Sequence, residues 1–437
     1  MSVKKITFGN LTGFGESFTS SPETSPAALC VNFHAEGNVL TDGFTLGRAL
    51  FNGNALSLPE GVKGEKIFVS VTNAGEKLLF AGGGTVYEAD ISSDHPVFTQ
   101  TDITYTGNIS FANVTAYGNP CTVTGDSEGR LCLYDGFSSS FSAVDEGVVA
   151  VCEFFGRLVA VTDSKAYVSA PNDPFNFSSL AGGFTLDTGR NLRAKGAAVF
   201  GNEVVIAGER GVCRVGRSEF GNSFTARTLF ADGERLLPET VASGGEYAYV
   251  FTERGLALYN GASVFFKFEK TGVHAGDGAC GFIWNGRYHA CVKTRQNAEK
   301  RLILSFGNDS CDLMDTTLVS VAYDSAGKRL FAVSDSHAYV LTAGGKPVPP
   351  FHAGKLVTAD TDFGVGGKKV LTEFSLYTEK DVRLIITADG RRRLYRVTGG
   401  KGRRIIRPHV AGHVFSFAVT AEGPGAKISA PQAEIEY

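Results

Sequence analysis

Val148-Val149-Ala150-Val151-Cys152 leads through the turn Phe155-Gly156-Arg157 into Leu158-Val159-Ala160-Val161, and a further turn leads to Ala166-Tyr167-Val168-Ser169. Short β-branched and apolar runs broken by a glycine turn read as antiparallel strands. The same unit returns as Val319-Ser320-Val321-Ala322-Tyr323, the turn Ser325-Ala326-Gly327-Lys328, Leu330-Phe331-Ala332-Val333 and Ala338-Tyr339-Val340-Leu341. A looser copy runs from Ile67 to Thr72, turns at Asn73-Ala74-Gly75, and continues through Leu78 to Ala81 and Thr85 to Glu88. With the first-turn glycine as anchor, the series is Gly75, Gly118, Gly156, Gly201, Gly245, Gly286 and Gly327, at intervals of 43, 38, 45, 44, 41 and 41. Strand-and-turn repeats of ~40–45 residues are the period of propeller blades. Each small sheet has two apolar faces that it cannot bury alone, and radial packing covers them. Seven anchors imply seven blades, with six or eight if an end unit is miscounted. No blade carries a Trp-Asp dipeptide, so the chain is no standard WD40 protein.

Outward from the repeat, the expectation is an all-β chain in three parts. Residues 1–62 form an N-terminal arm, whose runs Asn38-Val39-Leu40 and Phe44 to Leu50 could latch the last blade. Residues 63–355 form the seven-bladed β-propeller. Residues 356–437 form a small C-terminal β-sandwich with strands at 370–377, 382–388, 394–398, 414–419 and 426–437, entered through a linker at 358–367. Composition agrees. The 437 residues hold 54 Gly and 33 Phe and are 43% hydrophobic, enough for a sizeable core. No run approaches the ~18 apolar residues of a membrane-spanning helix. The lysines Lys4 and Lys5 have no apolar run behind them, which argues against a secretory signal.

Eight cysteines occur, at 30, 121, 132, 152, 213, 280, 291 and 311, with no Cys-x-x-Cys pair. Cys280 and Cys291 flank an Asn285-Gly286 hairpin turn and stand opposite each other in hydrogen-bonded register, where side chains diverge too far for a good bridge. All eight read as reduced thiols acting as small buried hydrophobes, in a protein maturing in a cytoplasm.

The chemical motifs are weak. Gly125-Asp126-Ser127-Glu128-Gly129 matches a nucleophile elbow, yet it lies between strand-like runs, where it reads as a hairpin turn. His409 and His413 have metal-ligand spacing only on a helix; on a strand they stand ~13 Å apart. Asp360-x-Asp362 with Gly364 lacks the further ligands of a calcium loop. No Walker sequence is present. The reading is therefore non-enzymatic, with no catalytic residue, cofactor or metal assigned.

Charge gives the strongest signal. Residues 365–410 hold 12 Lys and Arg against 4 Asp and Glu, while the whole chain is −3, so the remainder carries −11. Arg391, Arg392, Arg393, Arg403, Arg404 and Arg407 form the candidate partner-docking cluster. A solvated face, an acidic protein partner or passing DNA each fit it, since clustered guanidiniums suit water, carboxylates and phosphates alike.

Three stretches carry a family resemblance. Pro26-Ala27-Ala28-Leu29-Cys30-Val31-Asn32 leads to Gly37-Asn38-Val39-Leu40 and Gly47-Arg48. Phe155-Gly156-Arg157-Leu158 runs on to Ser169-Ala170-Pro171-Asn172-Asp173-Pro174-Phe175. Trp284-Asn285-Gly286-Arg287-Tyr288 is a later blade turn. Together they resemble the propeller-type tail structural proteins of tailed phages, the tail nozzle and packaged-DNA stabilisation proteins of short-tailed phages and prophages. The resemblance implies a virion tail component, assembled in the host bacterial cytoplasm. It would form a multi-copy ring around the DNA exit channel, contacting itself, the portal or connector, and adjacent tail proteins. Contact with genome DNA would be transient and non-specific, with no membrane insertion. The acidic propeller would flank the conduit and the basic sandwich would dock. The competing class is a ligand- or protein-binding propeller, lectin-like or a scaffold. The residues after the anchors (Glu76, Asn119, Arg157, Asn202, Glu246, Arg287, Lys328) do not repeat, which weakens a multivalent lectin.

Overall fold

The computed structural model describes residues 2–437 except 9–17, 20–28, 32, 37–38, 43–44, 49, 52–53, 94, 190, 219–222, 231–235, 268–279, 285, 295–296, 307–310, 315–317, 325–328, 335–337, 343–352, 424 and 430. Among the described residues every regular element is a strand apart from the 3-10 turn Ser179–Ala181. The chain divides into two compact units: Arg48–Ile303 with Thr317–Leu341, and Met1–Gly47 with Leu304–Thr316 and Thr342–Tyr437.

The first unit is the propeller. Five blades are complete four-stranded antiparallel meanders. Blade one holds Lys66–Thr72, Gly75–Gly82, Thr85–Asp90 and Thr99–Thr104, and blade two Ile109–Ala116, Asn119–Asp126, Arg130–Tyr134 and Ser139–Ala143. Blade three holds Val148–Glu153, Leu158–Thr162, Lys165–Val168 and Phe184–Asp187. Blade four holds Ala194–Phe200, Glu203–Gly208, Gly211–Arg217 and Phe224–Phe230, and blade five Leu236–Gly244, Tyr247–Thr252, Leu256–Tyr259 and Val264–Lys267. Blade six begins with the hairpin Cys280–Trp284 and Arg287–Thr294, and blade seven with Ser320–Asp324, Arg329–Val333 and Ala338–Thr342. The described anchor glycines stand at the turn between the first and second strands of their blades, Gly75 as the first residue of its second strand. The six that are described have φ between +56° and +101°, backbone that a side chain strains. Gly327 falls outside the described residues.

The ring closes on itself within this unit. The first strands of consecutive blades touch in all seven cases, including Ser320–Asp324 against Lys66–Thr72. Blades seven and one share a core in which Ala322, Phe331 and Val333 pack with Ile67, Val69 and Phe80. First strands of neighbouring blades do not pair as ladders, so their backbone groups need other partners. Side chains supply them. Ser320 Oγ accepts from Ile67 N at 3.2 Å, Asn113 bridges Val71 N and Val69 O at 3.0 and 2.9 Å, and Ser110 Oγ accepts from Val151 N at 3.0 Å. Ser243 Oγ donates to Val199 O, and Tyr288 Oη to Thr240 O at 2.7 Å.

The second unit is the sandwich. One sheet runs Val3–Thr7, Gln432–Glu436, Lys369–Tyr377, with Arg403–Ile406 and Val410–Gly412 along the far side of Lys369–Tyr377. In the other sheet Phe415–Ala421 pairs on one side with Val382–Ala388, which carries Arg391–Val397, and on the other with Lys355–Val357, which carries Leu29–Val31. Burial alternates along Phe415–Ala421 as a two-faced strand requires. Phe374 stacks on Phe417 with centroids 4.5 Å apart, and Phe363, Leu384 and Ile435 fill the space around them.

Three expected boundaries are corrected here. The N-terminal residues form no separate arm: Val3–Thr7 and Leu29–Val31 are strands of the sandwich, paired with Gln432–Glu436 and Lys355–Val357, whereas Thr45–Arg48, in the run expected to latch the last blade, is the fourth strand of the sheet of Ser320–Asp324, Arg329–Val333 and Ala338–Thr342. Residues 358–367 are no solvated linker, because Thr361 pairs with Phe415 and Phe363 is wholly buried. The run after Thr398 adds two strands, Arg403–Ile406 and Val410–Gly412, the first opened by two arginines and the second only three residues long, so neither shows a readable alternation in sequence.

Candidate functional site

The arginine triplet sits on a hairpin. Val382–Ala388 and Arg391–Val397 are joined by Asp389-Gly390, with φ of +47° and +77°, the positive values that a two-residue turn of this kind needs. Register sets Arg391 opposite Ala388 and Arg393 opposite Ile386, on the core side, while Arg392 lies opposite Thr387 on the outer side. Strand alternation thus splits the triplet between two faces. Arg391–Val397 is the outer strand of its sheet and pairs only with Val382–Ala388 among the described residues.

The remaining candidates lie elsewhere. Arg403 and Arg404 belong to the opposite sheet, across from Tyr377 and Leu376; Arg403 donates to Ser375 Oγ at 2.9 Å and Arg404 to Gly399 O at 3.1 Å. Arg393 reaches the Pro408 carbonyl at 3.5 Å, which brings the hairpin to the residue beside Arg407. At the far end of the strand, Arg396 and Arg383 share Glu422 at 3.1 and 2.7 Å. Among the described residues Arg391, Arg392 and Arg407 are exposed and make no ion pair. The sequence cluster is therefore an edge strand with cations unbalanced at its Arg391 end among the described residues, and a second group in which Arg403 and Arg404 donate to Ser375 and Gly399 of the sandwich.

The hairpin turn is anchored from below. Asp389 accepts backbone hydrogen bonds from Val414 N at 2.9 Å and His413 N at 2.9 Å, and its other oxygen meets His413 Nδ1 at 3.2 Å. Those backbone donors hold its carboxyl at about 2. His413 is thus engaged by a carboxylate, and exposed His409 has φ +46°. In the loop considered for calcium, Asp362 Oδ1 accepts from Gly364 N at 2.9 Å, and buried Lys369 donates to Gly367 O and His413 O at 2.9 and 2.7 Å. Burial holds this ammonium below its ordinary range, with Asp362 and Asp389 opposing the shift. Two of the carbonyls framing the loop already face a cation.

Within the propeller, the Gly125–Gly129 motif is the turn of a hairpin. Asp126 is buried and accepts from Glu128 N, Arg130 N and Thr106 N, so this carboxylate builds the turn. No family model matches the chain, and no curated protein matches it. Among solved structures the chain is similar to Raptor from Chaetomium thermophilum, at TM-score 0.48 and 10% identity, covering 70% of this chain and 30% of that one. It is also similar to a chain of a mitotic checkpoint complex, at TM-score 0.44 and 13% identity, covering 66% of this chain and 95% of that one. The chain thus spans less than a third of the Raptor chain.

Two constructions escaped the sequence reading. The first is a repeated clamp between blades. Glu88 accepts from Lys77 and from Tyr134 of the next blade, and Tyr134 also meets the Gly136 carbonyl. In blade four Glu203 accepts from Arg214 and from Tyr259 of the next blade, and Tyr259 meets the Gly261 carbonyl. Lys77 and Glu203 both stand two residues after their anchors, and Glu88 and Arg214 both thirteen after, so the signs are exchanged between copies. The second is the loop of Ala170-Pro171-Asn172-Asp173, one of the stretches that carry the family resemblance. It braces blades two and three: Tyr117 N donates to Asn172 O, Asn172 N to Gly156 O, and Tyr117 Oη to Asp173 Oδ1. Tyr117, Phe155 and Asn172 all take left-handed φ there. Pro26-Ala27-Ala28 and Asn285, in the other two stretches, lie outside the described residues.

Proposed function

We propose that the chain is a non-enzymatic structural protein of a phage tail. It takes its place in a multi-copy ring around the DNA exit channel, assembled in the bacterial cytoplasm. The observation that carries this reading is the Asp389-Gly390 hairpin. Its outer strand offers an unpaired backbone edge, and its Arg391 end offers guanidiniums without carboxylate partners among the described residues. Such an edge suits an acidic protein surface, on the portal or connector or on a neighbouring copy, through strand addition and charge-assisted hydrogen bonds. The three stretches that resemble tail nozzle proteins supply the setting. The acidic remainder of the chain would flank passing DNA without gripping it, because like charge repels phosphate.

The test is peptide mass spectrometry on nuclease-treated, density-banded particles, with abundance calibrated to the major capsid protein. Several copies per particle are expected. Replacing Arg391, Arg392 and Arg393 together by Glu is expected to lower incorporation about tenfold or more, with the purified chain still folded. Absence of the protein from particles sinks the tail reading, and unchanged incorporation of the triple variant sinks the docking role of the hairpin.

A further inference from the structure

Blades two and three carry an aromatic residue immediately before the anchor glycine, Tyr117 and Phe155, where blade six has Asn285 in its sequence. Both aromatics take left-handed φ, +51° and +52°. Asn tolerates that region and a bulky side chain is strained by it, so the fold alone favours the choice made in blade six. Burial does not offset the strain. Tyr117 is 65% exposed, and Phe155 leans on buried Phe154 with centroids 4.6 Å apart yet stays 51% exposed. Backbone strain that packing does not require marks a working surface. The two rings belong to one such surface, because Asn172 accepts from Tyr117 N at 2.8 Å and donates to Gly156 O at 2.9 Å. Two carboxylates stand beside them: Asp173 accepts from Tyr117 Oη at 2.8 Å and Glu153 from Gly156 N at 2.6 Å. Neither enters an ion pair among the described residues, and Arg157 is turned to the Ser169 and Gly182 carbonyls. The second of those bonds ties in the 3-10 turn whose Leu180 is 99% exposed. Residues 95–189, which build this surface, are all described.

We infer that this surface receives the Asp389-Gly390 hairpin of a second copy of the chain. Exposed rings beside unpaired carboxylates select a guanidinium, which stacks on a ring face while its N–H groups meet carboxylate oxygens. The hairpin supplies the complement. Arg392 and Leu394 stand two residues apart on the outer side of Arg391–Val397, both exposed, and Arg392 makes no ion pair among the described residues. Arg392 meets the rings with Glu153 and Asp173, while Leu394 covers apolar surface otherwise left in water. The wider charges agree, since the hairpin lies in a segment of 12 cations and 4 anions and the remainder of the chain carries −11. Hairpin and receiving surface are different patches, so the contact is head-to-tail and repeats from copy to copy, as a closed ring requires. The inference rests on the multi-copy reading above and names the surface that takes the hairpin.

The experiment is sedimentation velocity on the full chain over a range of concentrations at low ionic strength. One variant carries Tyr117→Asn with Phe155→Asn, and another Arg392→Glu with Leu394→Ser. The wild type is expected to associate, and each variant to associate more weakly by about tenfold or more. The first variant keeps an intact hairpin and the second an intact ring surface, so their equimolar mixture is expected to form a heterodimer that neither forms alone. The aromatic variant is expected to melt no lower than the wild type, since Asn suits the left-handed turns. A wild type that is monomeric throughout, full association in either variant, no heterodimer in the mixture, or a large drop in the melting temperature of the aromatic variant overturns the proposal. Particle counting separates this from the tail reading. Copies in particles together with undiminished association of both variants reject the contact and keep the tail, whereas absence from particles with association lost in both variants keeps the contact and rejects the tail.

Discussion

Asp389 holds the arginine hairpin to the strand behind it through backbone donors, and those donors set its titration. Its folded carboxyl lies at about 2, below the ~3.9 of an unfolded Asp. A carboxyl depressed on folding contributes stability above its unfolded value and loses that contribution as pH falls through its folded value. Asp389→Asn keeps a residue that tolerates the left-handed φ of +47° and removes the charge. The variant is expected to melt a few degrees below the wild type at pH 7, with the gap narrowing as pH falls toward 2. Paired thermal melts across that range check this, and a gap undiminished at pH 2 would falsify the charge-based account. The cysteines follow the same logic of environment. Cys30, Cys121, Cys132, Cys152, Cys213, Cys280 and Cys291 stand in no disulfide. Burial raises the Cys132 thiol to about 12 and the Cys213 thiol to about 11, so both stay protonated as small hydrophobes. Cys280 and Cys291 stand opposite each other, as the hairpin arithmetic places them.

At the scale of elements, the exchanged clamps show that the propeller needs a cation, a carboxylate and a tyrosine hydroxyl between blades, with either order of the charges. Lys77 and Glu88 meet at 2.9 Å with roughly a fifth of each side chain exposed, a setting between surface and core. Lys77→Glu alone would set two carboxylates together beneath Tyr134, at about 1–2 kcal/mol of stability. Adding Glu88→Lys recreates the order found in blade four, and more than half of that loss is expected to return. Urea melts of the wild type, both single variants and the exchanged pair measure the coupling. Additive losses in the pair would mean that the charges are solvated independently. These clamps were not legible in the sequence, because Glu88 and Tyr134 belong to different blades and only the ring brings them together.

At the scale of the molecule, closure depends on the joint between blades seven and one. Ser320 Oγ accepts from Ile67 N at this seam, and both residues are buried. Ser320→Ala would leave that donor without its acceptor, and a loss of about 1–3 kcal/mol is expected in urea unfolding. Ser139→Ala, on an outer strand with its hydroxyl bonded to exposed Asp102, serves as the comparison and is expected to change little. Equal effects from the two would mean that the seam contributes nothing particular to the ring.

The sequence by itself determined the all-β class, the period and the number of anchors. Each of the six described anchors occupies a tight turn whose positive φ excludes most side chains, so the constraint is written one residue at a time. It also placed most strands of the C-terminal sheets, whose alternation of buried and exposed residues is local. Tertiary structure decided what depends on distant pairing. Val3 finds Glu436, Phe363 enters the sandwich core where a Gly-rich run suggested a linker, and arginines close in sequence divide between two sheets, Arg391, Arg392 and Arg393 on one and Arg403 and Arg404 on the other. Arg214 and Arg227 in blade four likewise become neighbours only when their strands pair. Local backbone preference can be read from one residue and its neighbours, whereas long-range pairing depends on which apolar faces the rest of the chain leaves to be covered.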